Sequence, residues 1–141
     1  MDDKFTQISI KPGFMKHNGG ILFRTISDTE YKFKASINDN HLNAAGIAHG
    51  GFIAALVDAG AGTAAHRSAG ENPCVTISLE LKFISAVKLN KEIIGTTKIQ
   101  KKTKSLIFLT CELVADKKIV ATASGVWKIL NKNLPGAGPG G

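Results

Sequence analysis

One segment of this sequence predicts a long helix, and strand-like segments lie on both sides of it. Residues 51–67 contain no proline and are numerous enough for about four helical turns or more. The strand-like runs are residues 21–27, 31–37, 75–84, 92–100, 106–115 and 119–130. Short connections between the later runs favour antiparallel pairing. Because one helix and one sheet must bury each other, we expect an α+β fold.

The first run after the helix has the period of a half-covered strand. Val75, Ile77, Leu79, Leu81 and Phe83 alternate with polar residues. We therefore expect these apolar residues to share one covered face.

The chain is expected to form one domain with a short tail. Its 141 residues can bury a core, and 43% hydrophobic with 21% charged residues is ordinary for a soluble globular protein. We assign residues 1–134 to the domain and the Gly/Pro-rich residues 135–141 to a flexible tail. A short helix is also expected before Phe14.

Secretion and membrane insertion are not predicted. The first residues open acidic and hold no long apolar stretch. No apolar run reaches the roughly 18 residues that a membrane span needs. Cys74 and Cys111 lie in apolar segments, as buried cysteines in a reducing compartment do. We therefore expect a cytoplasmic protein without membrane association.

The net charge of +7 predicts attraction to an anionic partner. The lysines are scattered, with one local cluster at Lys101, Lys102 and Lys104. Aromatic residues are not interleaved with the basic ones, so a stacking platform for nucleic acid is not expected. A phosphorylated small molecule explains the charge, and solubility alone explains it equally well.

The predicted helix has a large apolar face and a face of small residues. Within an arc of roughly 140° lie Phe52, Ile53, Leu56, Val57 and Thr63. The opposite face holds Gly51, Ala54, Ala55, Ala61, Gly62 and Ala65, with Asp58 near its centre. A solvent face normally carries several charges, so this single carboxylate indicates a partner subunit or a ligand. Gly60 and Gly62 disfavour the helix, which suggests that another backbone or a slim ligand approaches closely.

A His-Gly-Gly turn precedes this helix. Gly50 and Gly51 lie where backbone N–H groups lack intrahelical acceptors and the helix dipole is positive. Such a site binds an anion or polarises a carbonyl oxygen that is under attack.

Asn43, His49, Gly50, Gly51 and Asp58 match a known motif position for position. The pattern resembles the active-site motif of PaaI-type acyl-CoA thioesterases of the hotdog-fold superfamily. Similarity covers roughly residues 43–127, including the strand that follows the helix. The resemblance implies a curved antiparallel sheet wrapped around one long central helix. It also implies homo-oligomers, as dimers paired edge to edge or dimers of dimers, with active sites between subunits.

The resemblance further implies catalytic roles. Asp58 acts as general base or nucleophile, and the Gly50 N–H of the other subunit polarises the thioester carbonyl. Asn43 orients the thioester or the water, or else bonds its own loop. Thr76 hydrogen-bonds near the nucleophile, or is an ordinary strand residue. His49 aids the chemistry or braces the turn.

No metal and no separate cofactor is implied, because coenzyme A is part of the substrate. Its phosphates suit the positive charge, with Arg67 and the lysines as candidate contacts. A hotdog protein that binds acyl-CoA without hydrolysing it is the principal alternative. A hotdog dehydratase or hydratase would require a His–acid pair, and no convincing pair is visible. The acyl group is left open.

Overall fold

The secondary structure follows the predicted order of two strands, a long helix and four strands. The computed structural model of the chain describes residues 4–131. Its elements are β1 (Thr6–Gln7), α1 (Phe14–His17), β2 (Leu22–Thr25), β3 (Glu30–Ser36), a 3-10 helix (Asp39–His41), α2 (Gly50–Ser68), β4 (Cys74–Phe83), β5 (Glu92–Lys102), β6 (Leu106–Ala115) and β7 (Lys118–Ile129). β1 was not predicted, and the short helix begins at Phe14 instead of preceding it. The predicted tail, residues 135–141, lies outside the described residues.

Seven strands form one antiparallel sheet in the order β1-β2-β3-β5-β6-β7-β4. The sheet curves around α2, which contacts β3, β4, β5, β6 and β7. This is the α+β hotdog architecture that the motif predicted. Among the strands of the described residues, β4 lies at one end of the order and pairs only with β7.

The predicted large face of α2 is confirmed as a core face. Phe52, Ile53, Leu56, Val57 and Thr63 are all buried. The small-residue face divides into two parts. Ala61, Gly62 and Ala65 are buried within the chain, whereas Gly51 is exposed and Ala54, Ala55 and Asp58 are half-buried. The sheet therefore leaves only the N-terminal half of this face accessible. Neither α2 nor any other helix within residues 4–131 is long and apolar enough to cross a membrane.

Gly60 is explained by the core of the chain itself. A Cβ on Gly60 would overlap the ring of Phe33, and a Cβ on Gly95 of β5 would overlap the same ring. Phe33 is fully buried between these two glycines. The expectation that Gly60 admits a ligand or another backbone is therefore wrong, since the glycine admits an aromatic ring.

β4 changes its covered face partway along its length. Its register with β7 shifts between Thr76 and Ser78, as at a β-bulge. Leu79 and Leu81, beyond the shift, pack against the core as expected. The expectation of one covered face is wrong for Val75 and Ile77, which precede or lie in the bulge and are 42% and 55% exposed. It is also wrong for Phe83, which ends the strand and is 57% exposed.

Candidate active site

The Asp58 carboxylate and the Thr76 hydroxyl meet at the centre of the candidate site. Thr76 Oγ1 donates a hydrogen bond to Asp58 Oδ1 at 2.6 Å. The bulge makes this contact possible, because it lets Thr76 face α2 before the strand alternation changes. Among residues 4–131, Asp58 Oδ2 has no hydrogen-bond partner. One carboxylate oxygen is therefore held, and the other is available to a ligand.

Asp58 also lacks a counter-ion. No lysine, arginine or histidine within residues 4–131 forms an ion pair with it. Its helical neighbours three and four residues away are Ala54, Ala55, Ala61 and Gly62. Among the described residues, the Asp58 carboxylate is therefore bonded to the Thr76 hydroxyl alone.

The first turn of α2 leaves one backbone donor free. His49 is the N-cap residue, and its Nδ1 accepts the Gly51 N–H at 2.8 Å. The Phe52 and Ile53 N–H groups both donate to the His49 carbonyl, at 3.0 and 3.1 Å. Among the described residues, no acceptor is bonded to the Gly50 N–H. Of the two roles expected for His49, the geometry shows the bracing of the turn.

An aromatic ring lies beside Gly50. A Cβ added to Gly50 would lie 3.5 Å from Cε1 and Cζ of Phe83. Phe83 itself is 57% exposed at the end of β4. The Phe83 ring therefore lies on the Cβ side of Gly50, next to the start of α2. The strand alternation predicts a covered Phe83, so nothing local in the sequence indicates its contact with Gly50.

Asn43 organises its own loop. Its Oδ1 accepts the N–H groups of Ala45 and Ile47 at 2.9 and 3.3 Å. Its backbone N–H donates to the Ile47 carbonyl at 2.8 Å. Its Nδ2 has no partner within the part of the chain that is described. Asn43 therefore has the loop-bonding role, and it can contact a substrate only as a donor.

Gly50 and Asp58 of the same helix cannot both contact the thioester group of one substrate. They are eight residues apart on α2, which is an axial distance of about 12 Å. A carbonyl that accepts the Gly50 N–H at hydrogen-bonding distance lies beyond the reach of this Asp58. Within one chain, the free Gly50 N–H and the Asp58 carboxylate are therefore too far apart to form one site.

The two cysteines do not offer a nucleophile. Both are free and buried. Burial raises the pKa of Cys74 to about 11 and that of Cys111 to about 12. Both thiols are therefore protonated near neutral pH, and the thiolate is the reactive form. Within residues 4–131, no three His, Cys, Asp or Glu side chains are grouped so as to hold a metal ion.

A comparison with protein families identifies the chain. Residues 45–122, more than half of its length, match the family model described as Thioesterase superfamily. The chain belongs to the Thioesterase superfamily. The matched residues include the His-Gly-Gly turn, Asp58 and Thr76. The family predicted from the motif is thereby confirmed.

This thioesterase-superfamily chain is similar in sequence to two named proteins. A Pseudomonas aeruginosa protein with a provisional esterase name is 32% identical over 94 residues, which are 66% of this chain and 70% of that protein. Human acyl-coenzyme A thioesterase 13 is 31% identical over 87 residues, which are 60% of this chain and 62% of that protein. The chain thus spans less than two thirds of the human relative.

Solved structures share the fold. Zebra fish thioesterase superfamily member 2 has a TM-score of 0.78 and 22% identity, with 86% of this chain and 90% of that chain covered. The PaaI protein from the phenylacetic acid degradation operon of E. coli has a TM-score of 0.70 and 18% identity, with 82% and 83% covered. At these identities the likeness establishes the hotdog fold of this superfamily member.

Proposed function

We propose that this protein hydrolyses acyl-CoA thioesters to a free acid and coenzyme A. The observation that carries the proposal is the Asp58 carboxylate, with one oxygen held by Thr76 and the other unpartnered among residues 4–131. Membership of the Thioesterase superfamily supports thioester hydrolysis, and the name of the human relative supports coenzyme A as the carrier. We place the protein in the cytoplasm, where its two cysteines stay reduced.

The reaction begins with attack on the thioester carbonyl. Asp58 either takes a proton from an attacking water or attacks the carbon itself; in the second case, departure of the thiolate leaves an anhydride that water then hydrolyses. The carbonyl oxygen becomes negative and accepts the Gly50 N–H at the helix N-terminus. Asn43 donates from Nδ2 to the thioester or the water. The C–S bond then breaks, and coenzyme A leaves as a thiolate without a metal or further cofactor.

A homodimer supplies the missing half of each site. β4 has ten residues and an edge that no strand within residues 4–131 pairs with, and an edge of this kind is normally covered. Its exposed apolar residues include Val75, Ile77 and Phe83, at 42%, 55% and 57%. Pairing of two β4 edges covers these side chains. It brings the Gly50 amide of one subunit to Asp58 of the other, whether the protein is a dimer or a dimer of dimers.

Ile77→Glu is expected to give monomers with no measurable hydrolysis, because a charge on the β4 edge opposes edge-to-edge pairing. Light scattering after size-exclusion chromatography measures the mass, and acyl-CoA hydrolysis is measured on the same fractions. Ile10→Glu is the matched control, since Ile10 is 69% exposed and lies outside the sheet. A monomeric wild-type protein with full activity would contradict the two-subunit site.

A basic cavity suits the phosphates of coenzyme A. It has a volume of about 480 Å³, and its lining includes Arg67, Lys101, Lys102 and Asp28. Lys102 Nζ donates to the Ser68 carbonyl at 2.8 Å. Its positive charge thus offsets the partial negative charge at the C-terminal end of α2. Lys101 has no partner within residues 4–131. Of the cluster noted in the sequence, Lys101 is therefore the lysine we assign to a phosphate.

Lys101→Glu is expected to raise KM for acyl-CoA about 3-fold to 10-fold and leave kcat within about twofold, because a surface charge is reversed in screened solvent. The rise should shrink at high salt. An acyl-pantetheine substrate, which lacks the nucleotide phosphates, should show no change. Lys16→Glu is the control, since Lys16 is exposed on α1 and does not line the cavity. An equal rise in KM with acyl-pantetheine would contradict the assignment.

A panel of acyl-CoAs tests the proposed function directly. Wild-type protein is incubated with aryl-acetyl, medium-chain and long-chain acyl-CoAs, and a thiol reagent detects released coenzyme A. The protein's own thiols should add little signal, since burial raises the pKa of each cysteine well above neutral. Hydrolysis of at least one substrate is expected. Tight binding without release of coenzyme A would favour the non-catalytic acyl-CoA-binding protein instead.

A further inference from the structure

His41 is a buried histidine whose two ring nitrogens are both hydrogen-bonded. It ends the 3-10 helix and is 2% exposed. Nδ1 lies 3.0 Å from the Asn38 backbone N–H, which can only donate, so Nδ1 accepts. The proton of the neutral ring is therefore on Nε2, which donates to the Asn18 carbonyl at 2.6 Å. These two bonds fix both the tautomer and the orientation of the ring.

His41 contacts one residue before Gly50 and one residue after it. Its backbone carbonyl accepts the N–H of His49, the residue before Gly50, at 2.7 Å. Its ring stacks on Phe52, two residues after Gly50, with centroids 3.6 Å apart and planes inclined by 8°. The turn that carries the free donor is thus held on both sides by one residue.

This bracing has a function because a glycine does not fix the direction of its own N–H. Gly50 and Gly51 have wide conformational freedom, and an oxyanion donor must be held in one direction. A phenylalanine at position 41 would stack on Phe52 equally well, so stacking alone does not explain a buried polar ring. The hydrogen bonds join the ring to Asn38, the N-cap of its own 3-10 helix, and to Asn18, which lies 23 residues earlier.

We propose that His41 is a positioning residue that holds the Gly50 N–H in the direction required for thioester hydrolysis. The proposal rests on the proposed function for its catalytic consequence. His41 itself touches neither the substrate nor Asp58. It acts through the Phe52 ring and the His49 backbone, and through the hydrogen bonds that fix its own ring.

The test compares histidines at the two ends of α2. His41→Phe keeps the stacking and removes both ring hydrogen bonds. His66→Phe is the matched control, because His66 braces the C-terminal end with Nδ1 at 2.8 Å from the Asn72 carbonyl and Nε2 at 3.1 Å from Glu71. We expect kcat to fall about 10-fold to 100-fold in His41→Phe, with KM within twofold, because a displaced donor mainly affects the transition state. His66→Phe should change kcat less than about twofold.

Hydrogen exchange gives a second readout that does not depend on activity. In His41→Phe, the His49, Phe52 and Ile53 amides should exchange about 10-fold faster, since their bonds lie in the braced turn. His41→Asn, which keeps an acceptor near the Nδ1 position but loses the stacking on Phe52, serves if His41→Phe fails to fold, and it too should lower kcat with KM within twofold.

Two results would overturn the positioning role: unchanged exchange in the turn, or a loss of kcat no larger than that of His66→Phe. If the wild-type protein releases no coenzyme A from any acyl-CoA, the proposed function fails. The exchange result still decides whether His41 braces the turn.

Discussion

Asp58→Asn is expected to lower kcat for acyl-CoA hydrolysis by about 10³-fold or more while the protein remains folded. The amide keeps an oxygen that accepts the Thr76 hydroxyl, so the observed contact between α2 and β4 is preserved. It has no negative charge and no basic oxygen. The variant therefore loses both the proton acceptor and the nucleophile and changes little else.

The fold of this variant can be checked with the chain's single tryptophan. Trp127 is fully buried and lies opposite Thr76 in the pairing of β4 with β7. An unchanged emission spectrum and unfolding midpoint would show that the core is intact. Asp116→Asn is the control, since Asp116 forms an exposed ion pair with Lys91 away from α2. Full activity in Asp58→Asn would remove Asp58 from the chemistry.

The long helix and most strands were predictable because their signals are local. Residues 51–67 lack proline, and the structure extends this helix by one residue at each end, to Gly50–Ser68. The bulge in β4 has no local signal, because apolar and polar residues alternate regularly through Thr76 and Ser78. Its effect depends on the pairing of β4 with β7, which is far away in sequence. The exposure of Val75 and Ile77 could not be predicted for the same reason.

In the candidate site, too, the features with local sequence signals were predictable and those that depend on distant contacts were not. The spacing of the motif predicted which residues to examine, and the helix N-terminus predicted a free backbone donor at Gly50. The roles of His41 and Phe33 depend on contacts with distant residues. His41 follows three polar residues, Asn38, Asp39 and Asn40, so nothing local indicates that its ring is buried. Phe33 fills the space of a helical glycine that lies 27 residues later.

Gly50→Pro is expected to lower kcat about 10²-fold to 10³-fold, the usual effect of losing one oxyanion donor. Proline is favoured at the first position of a helix and lacks the N–H. His49 has φ −63° and ψ 134°, a conformation that a following proline accepts. The substitution therefore removes the donor without breaking α2. Kinetics with the best acyl-CoA of the panel measure the loss.

Gly50→Ala is the matched control, because it keeps the N–H and places a Cβ at an ordinary contact distance of 3.5 Å from Phe83. It should stay within a few-fold of wild type. An equal loss in the alanine and proline variants would mean that the glycine is needed for space and not for its amide.

Co-expression of Gly50→Pro and Asp58→Asn chains tests whether each site is built from two subunits. Each variant alone should be nearly inactive. In a mixed dimer, one site combines both defects, and the other joins the intact Gly50 of one chain to the intact Asp58 of its partner. Random pairing then restores about a quarter of wild-type activity, since half of the dimers are mixed and each has one working site. A site confined to one chain restores none, because every chain carries one of the two defects.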